Sequence, residues 1–196
     1  LNKTDLNKKL KEYIISSNSV SINTLEKINN QIIDASKLLS QCLIEGNKVM
    51  ICGNGGSASD SNHLAAEFTN RFSVNIKRKG LAAISLATDS AFITAHANDF
   101  SFDSIFSRQI ESLGKSGDSL IAISTSGKSK NIIQAIQKAN DMNINVISLT
   151  GINKNLNPIS NITLNVQSEN TQHIQETLLQ IEHILIYFVE EIIYNK

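Results

Sequence analysis

The sequence predicts an α/β protein: a mostly parallel, five-stranded sheet flanked by helices, with extra helices at the N-terminal end. Three observations carry this expectation. Short β-like apolar runs alternate with longer stretches of helical periodicity, the pattern of a sheet covered on both faces. Apolar residues make up 41% of the 196 residues while aromatics are only 5%, which suits a globular α/β chain. Two polar loops, Cys52-Gly53-Asn54-Gly55-Gly56-Ser57-Ala58 and Ser124-Thr125-Ser126-Gly127-Lys128-Ser129, each follow an apolar run and precede a helical pattern. Ligands of such sheets sit beyond the C-terminal ends of the strands, where both loops fall.

Residues 3–16 and 21–45 read as two helices, the second carrying Leu25, Ile28, Ile32, Ala35, Leu38 and Leu39 at helical spacing, with Gly46 as its stop. A strand over 48–52 leads into the first polar loop, and a helix over 58–72 follows. A second strand spans 81–86, then a helical, loop-rich stretch runs to Leu113. Gly117-Asp118 is a turn signal before a strand over 119–123. After the second polar loop come a helix over 130–141, a strand over 146–150, and a loop over 151–160 that holds the only proline, Pro158. A fifth strand covers 162–166, and a long helix spans 171–194. No linker is long enough to divide the chain. One domain is expected over 1–196, with a helical segment over 1–45 and an α/β core over 46–196. The last helix is apolar on more than one face, through Ile181, Ile184, Leu185, Ile186, Phe188, Val189, Ile192 and Ile193. Such a helix is usually buried, and contact with another subunit is the expected cover.

The bulk numbers exclude several classes of function. Lys plus Arg and Asp plus Glu both number 18, for a net charge of zero, which argues against a nucleic-acid footprint. The two cysteines, Cys42 and Cys52, form no CxxC motif, so buried thiols in a reducing compartment are expected. No apolar stretch approaches the roughly 20 residues that span a bilayer, and the first residues form no signal core. A cytoplasmic protein without membrane association is expected.

Both polar loops imitate nucleotide motifs and fail on a specific residue. Gly53, Gly55 and Ala58 fit G-x-G-x-x-A, but the acidic residue required about 20 positions on is absent, and Asp89 lies too far along. Gly127-Lys128-Ser129 would complete a P-loop only with glycine at position 122, where Ala122 stands. No nucleotide cofactor is expected. What remains at the second loop is Ser124, Thr125, Ser126 and Ser129 beside a helix start. Hydroxyls and free N–H groups there can hold a phosphate without a cation. Four hydroxyls in six residues exceed what an ordinary helix cap needs.

His63 and Glu67 stand at i and i+4 on the helix leaving the first loop, about 6 Å apart at Cβ, and suit acid–base work or metal binding. His183 lies on the apolar last helix. By helix angle Glu176, seven residues earlier, shares its face better than Gln175, eight earlier, and both are within reach. His96 and His173 have no evident partner.

These residues resemble the phosphoheptose isomerases of the sugar isomerase (SIS) family. The likeness rests on Gly53-Asn54-Gly55-Gly56-Ser57-Ala58, His63-Leu64-Ala65-Ala66-Glu67, Asn98-Asp99, Ser124-Thr125-Ser126-Gly127 with Ser129, Ile174-Gln175-Glu176 and His183, in that order. It runs from about residue 20 to the C-terminal helix. It implies interconversion of sedoheptulose 7-phosphate and D-glycero-D-manno-heptose 7-phosphate, the first step toward ADP-heptose for lipopolysaccharide. It implies a homotetramer with active sites at subunit interfaces, and one zinc ion per subunit held by His63, Glu67, Gln175 and His183. Substrate contacts would fall on Asn54, Gly55, Gly56, Ser57, Glu67, Asn98, Asp99, Ser124, Thr125, Ser126, Ser129 and Gln175. Glu67 would be the base and His183 the acid of an enediol exchange. The chain departs from the family at His173, where arginine is frequent, at Leu178, where histidine is frequent, and at His96-Ala97 before Asn98-Asp99. The rival expectation is a non-catalytic SIS relative that binds the replication initiator DnaA; such relatives lack the acid and the histidine that stand here as Glu67 and His183.

Overall fold

The computed structural model describes residues 2–195; Leu1 and Lys196, the ends of the expected unit, lie outside that range. Five parallel strands, β1 (Val49–Cys52), β2 (Ala83–Ser85), β3 (Ser119–Ser124), β4 (Asn145–Thr150) and β5 (Ile162–Asn165), form one sheet in the order β2-β1-β3-β4-β5. The chain runs outward from β1 to one edge and from β3 to the other. The order therefore reverses between β1 and β3, which pair in register from Val49↔Ser119 to Cys52↔Ala122. In open α/β sheets a reversal of this kind opens a crevice beyond the strand ends. The two polar loops leave these two neighbouring strands.

Among the described residues, seven α-helices surround the sheet: α1 (Lys3–Lys27), α2 (Asn29–Ile44), α3 (Gly56–Thr69), α4 (Ser90–Asp99), α5 (Ile105–Leu113), α6 (Lys130–Asp141) and α7 (Thr171–Tyr194). Strand side chains alternate between two cores, as the pleat requires. Val49, Ile51, Ile121, Ile123, Ile147 and Leu149 face α2, α3 and α7. Met50, Cys52, Leu120, Ala122 and Val146 face α5 and α6. Every residue of β1 and β3 is buried, which is why these strands read as continuous apolar runs rather than as alternation. Cys42 and Cys52 are buried free thiols. Among the described residues no helix is long and apolar enough to cross a membrane.

Three features differ from the sequence expectation. The break between the first two helices falls at Ile28, not at 17–20. The polar run Ser16-Ser17-Asn18-Ser19 reads as a loop, yet it stays helical because α1 lies on α7. There Ser17 Oγ donates to Glu176 and Ser21 and Thr177 share a hydrogen bond of 3.1 Å. Second, α3 begins at Gly56 and ends at Thr69 rather than spanning 58–72, and β2 is three residues long rather than six. Third, one face of α7 is covered from within its own chain. Ile181, Leu185, Ile186 and Val189 are fully buried in the core shared with α2, α3 and the sheet. Tyr187 and Ile192 of α7 stay exposed, and a further apolar stripe lies on α1, where Leu6, Leu10, Tyr13 and Ile14 are all at least 44% exposed.

Candidate active site

The loop after β1 is shaped by its glycines. A Cβ on Gly53 would lie 2.4 Å from the Ser57 carbonyl oxygen, because the first turn of α3 folds back onto the strand end. Gly55, the residue before α3, has φ 58° and ψ −121°, a region that only glycine occupies without strain. Ser57 is buried and donates to Gln175 Oε1 of α7 at 3.3 Å. Asn54 is locked side chain to side chain with Asn131 of α6: Asn54 Nδ2 donates to Asn131 Oδ1 at 2.8 Å, and Asn131 Nδ2 returns a bond to Asn54 Oδ1 at 2.9 Å.

The loop after β3 turns at Gly127, φ 62°, where a side chain would meet Asn153 Oδ1 at 2.4 Å. Ser124 Oγ accepts from the Gly127 N–H at 3.1 Å and donates to Ser129 Oγ at 3.3 Å, and Ser126 Oγ accepts from the Lys128 N–H at 3.2 Å. Ser129 precedes α6 without capping it by its side chain. The N–H groups of the first helical turn therefore keep no side-chain partner and point, with the positive end of the helix dipole, into the space before the helix. A cavity of about 240 Å³ adjoins Thr125, Ser126 and Lys128; Asn153, Glu169 and Thr171 also line it, and no residue of α6 does. It is the uncapped start of α6, with the hydroxyls of Ser124 and Ser129, that suits an oxyanion such as a phosphate.

Between α3 and α7 lie His63, Glu67 and His183. His63 Nε2 is 3.2 Å from Glu67 Oε1. The His63 ring stands edge-on to His183, 5.2 Å between centroids, and Phe72 covers the other side of His183 at 5.5 Å. Arg78 Nη2 donates to the main-chain carbonyl of Glu67 at 2.7 Å, and Arg78 Nε bonds Glu190 at 2.6 Å in a pair with no exposed side-chain surface. The α3 segment that carries Glu67 is thereby fastened to α7. Two imidazoles and a carboxylate are a donor set that zinc accepts, although among the described residues no three His, Cys, Asp or Glu side chains are already drawn into a metal cluster.

The structure separates the two neighbours that helix angle left open. Gln175 faces α3, with its Oε1 at Ser57 and its Nε2 buried without a partner. Glu176 turns to α1, where Tyr13 donates to it at 2.5 Å and Ser17 donates as well; these two bonds hold its carboxyl below the usual range. His173 lies beside it, with Nδ1 3.4 Å from Glu176 and its ring edge-on to Tyr13. Gln175 stands two turns of α7 before His183, about 12 Å of helix rise, so it meets the first loop rather than His63.

Asn98 and Asp99 close α4, exposed, with Asn98 Nδ2 donating to Asp99 at 2.9 Å. Among the described residues no hydrogen bond joins them to Glu67 or to the serine loop. His96 is stacked between Phe92 and Phe100 and lies 2.8 Å from Ser104 Oγ. Sequence reading missed Asn131, Arg78, the half-buried Asp60 and the buried Glu182. Burial pushes the Asp60 carboxyl up, and pushes Glu182 up to about 9 with the Asp60 charge adding to the effect. Two of these carried a signal. Asn131 stands four residues before Ala135, and Glu182 four after Leu178 and four before Ile186, each a polar residue on a buried helical stripe.

A SIS domain family model matches residues 12–151. The chain is 43% identical over 174 residues to a phosphoheptose isomerase of Helicobacter pylori, covering 88% of this chain and 90% of that one. Its backbone superposes on a phosphoheptose isomerase from Francisella tularensis with a TM-score of 0.89 at 36% identity, over 97% of this chain and 100% of that one. A phosphoheptose isomerase from Neisseria gonorrhoeae gives a TM-score of 0.87 at 34% identity, over 95% and 99%.

Proposed function

Because the chain belongs to the SIS family and, within it, to the phosphoheptose isomerases, we infer that it interconverts sedoheptulose 7-phosphate and D-glycero-D-manno-heptose 7-phosphate. The observation that carries a catalytic rather than a binding reading is the grouping of His63, Glu67 and His183 on the α3–α7 seam, with His63 Nε2 3.2 Å from Glu67. A relative that only bound DnaA would have no use for it.

The exchange moves one proton between C1 and C2 of the sugar through an enediol. It needs a base at carbon and proton support at the two oxygens. Glu67 takes the proton from carbon and returns it to the neighbouring carbon. His183 gives and receives the proton at the oxygens. The serine loop holds the phosphate through Ser124, Thr125, Ser126, Ser129 and the uncapped N–H groups of α6, and this remote grip positions the reacting carbons. Asn54, Gly55, Gly56, Ser57 and Gln175 line the sugar chain, and Asn98 and Asp99 reach it from α4. When held by His63, Glu67 and His183, zinc would polarise the sugar carbonyl as a Lewis acid in place of direct proton donation by His183. Gln175 would join them only by leaving Ser57. Glu67 keeps a second carboxylate oxygen for the proton.

We further propose a homotetramer, supported by the uncovered apolar stripe of α1. The buried free thiols support a reducing compartment such as the cytoplasm, where the product would feed ADP-heptose and lipopolysaccharide synthesis. The direct test is aldose formation from sedoheptulose 7-phosphate, followed with and without added zinc. Wild type is expected to turn over. Glu67→Gln and His183→Ala should each lose about 100-fold or more in kcat. An inert wild type under both conditions, or an unimpaired Glu67→Gln, overturns the reading.

A further inference from the structure

We propose that Asn131 is a positioning residue: it presets the side chain of Asn54 and thereby fixes the sugar-facing loop against the phosphate-facing helix. The inference rests on the reading that Asn54 touches the sugar. Asn131 is 2% exposed, on the first turn of α6. Its main-chain N–H belongs to the uncapped turn that faces the phosphate. Its side chain closes two hydrogen bonds, 2.8 and 2.9 Å, with Asn54. One residue thus ties together the two polar loops, which leave the neighbouring strands β1 and β3.

The amide pair is a stronger constraint than either bond alone. Each amide gives one N–H and accepts at its oxygen, so turning either one over by itself sets N–H against N–H and oxygen against oxygen. In a part-buried setting that mismatch leaves groups unsatisfied and costly. Asn54 has no comparable support of its own, since it stands between Gly53 and Gly55 at the tip of a strand–helix turn. Once paired, Asn54 retains one N–H and one oxygen lone pair outside the ring of bonds. These remaining groups are what a sugar hydroxyl would meet, already aimed. With the phosphate gripped independently at Ser124–Ser129, losing the pair should misplace the reacting end of the sugar while leaving the phosphate end bound. The loss is therefore expected in kcat more than in KM.

The test is a double-mutant cycle with a structural arm, using the full chain. Asn131→Ala and the near-isosteric Asn131→Leu are each expected to lower kcat for sedoheptulose 7-phosphate about 10-fold with KM within about 2-fold. In an Asn54→Ala background the same Asn131 changes should cause no further loss, because the residue acts through Asn54. Crystal structures of the two Asn131 variants should show the Asn54 amide turned or in several rotamers. Independent, multiplying losses, an Asn54→Ala enzyme of full activity, or an Asn54 amide unmoved without its partner would each overturn the proposal. A wild type inert toward the heptose phosphate would sink the activity reading alone, because the position of the Asn54 amide still decides this one.

Discussion

Glu182 is buried in the α3–α7 seam, and among the described residues neither of its carboxylate oxygens has a hydrogen-bond partner. Burial and the nearby Asp60 charge push it up to about 9, whereas an unfolded chain would titrate it near 4.3. Between those values the folded protein holds a proton that the unfolded chain has released. Stability therefore falls as pH rises through that window, by on the order of a few kcal/mol at pH 7. Glu182→Gln removes the titration and keeps the shape. Thermal melts should show the variant close to wild type at pH 4.5 and several degrees more stable at pH 8.5; an equal difference at both pH values would show that Glu182 does not titrate in this way. The sequence displays this acid on a buried stripe but gives no sign of what faces it. The same limit applies at Gln175 and Glu176. Helix angle ranks Glu176 nearer the face of His183, yet Tyr13 and Ser17 of α1 claim it, and only their placement leaves Gln175 for the site.

At the scale of elements, strongly periodic segments are legible and their junctions are not. The bounds of α6 and α7 follow directly from apolar spacing and the residues that flank it. The α1–α2 break does not, because a serine-rich run that favours loops in isolation is held helical by α7. The segment after α3 is the least legible. Residues 70–82 carry no periodic pattern, yet they are fixed by Arg78, which donates to the carbonyls of Glu67 and Phe68 and pairs with Glu190. Glu190 also accepts from the N–H groups of Phe72 and Ser73 at 3.0 and 2.9 Å. Removing the cation strands a buried carboxylate. Arg78→Ala should therefore cost about 3–5 kcal/mol in urea unfolding. Arg78→Lys should fall between it and wild type, since it keeps the charge but loses the fork that reaches two carbonyls. A loss under about 1 kcal/mol for Arg78→Ala would mean that Glu190 finds other support.

For the whole molecule, alternation of apolar runs and helices is enough to predict the parallel sheet. The location of the crevice is not local information, because it depends on β1 and β3 being neighbours. The same holds for the outer surface. The apolar excess of α7 suggests a subunit interface; α2, α3 and the sheet absorb one face of it, Tyr187 and Ile192 stay exposed, and α1 adds a second uncovered apolar stripe. Leu6, Leu10, Tyr13 and Ile14 recur at the four- and three-residue spacing of one helical stripe, 52%, 57%, 44% and 47% exposed. A stripe of this kind on a helix whose first half stands away from the core is suited to pack against its counterpart in another copy. If the tetramer is built there, charge on the stripe should dissolve it without unfolding the α/β core, which shares no buried side chain with Leu6 or Leu10. Light scattering after size exclusion should find wild type as a tetramer and Leu6→Glu/Leu10→Glu as a smaller species with unchanged far-ultraviolet circular dichroism. A double variant that remains tetrameric would move the interface to another face of the molecule.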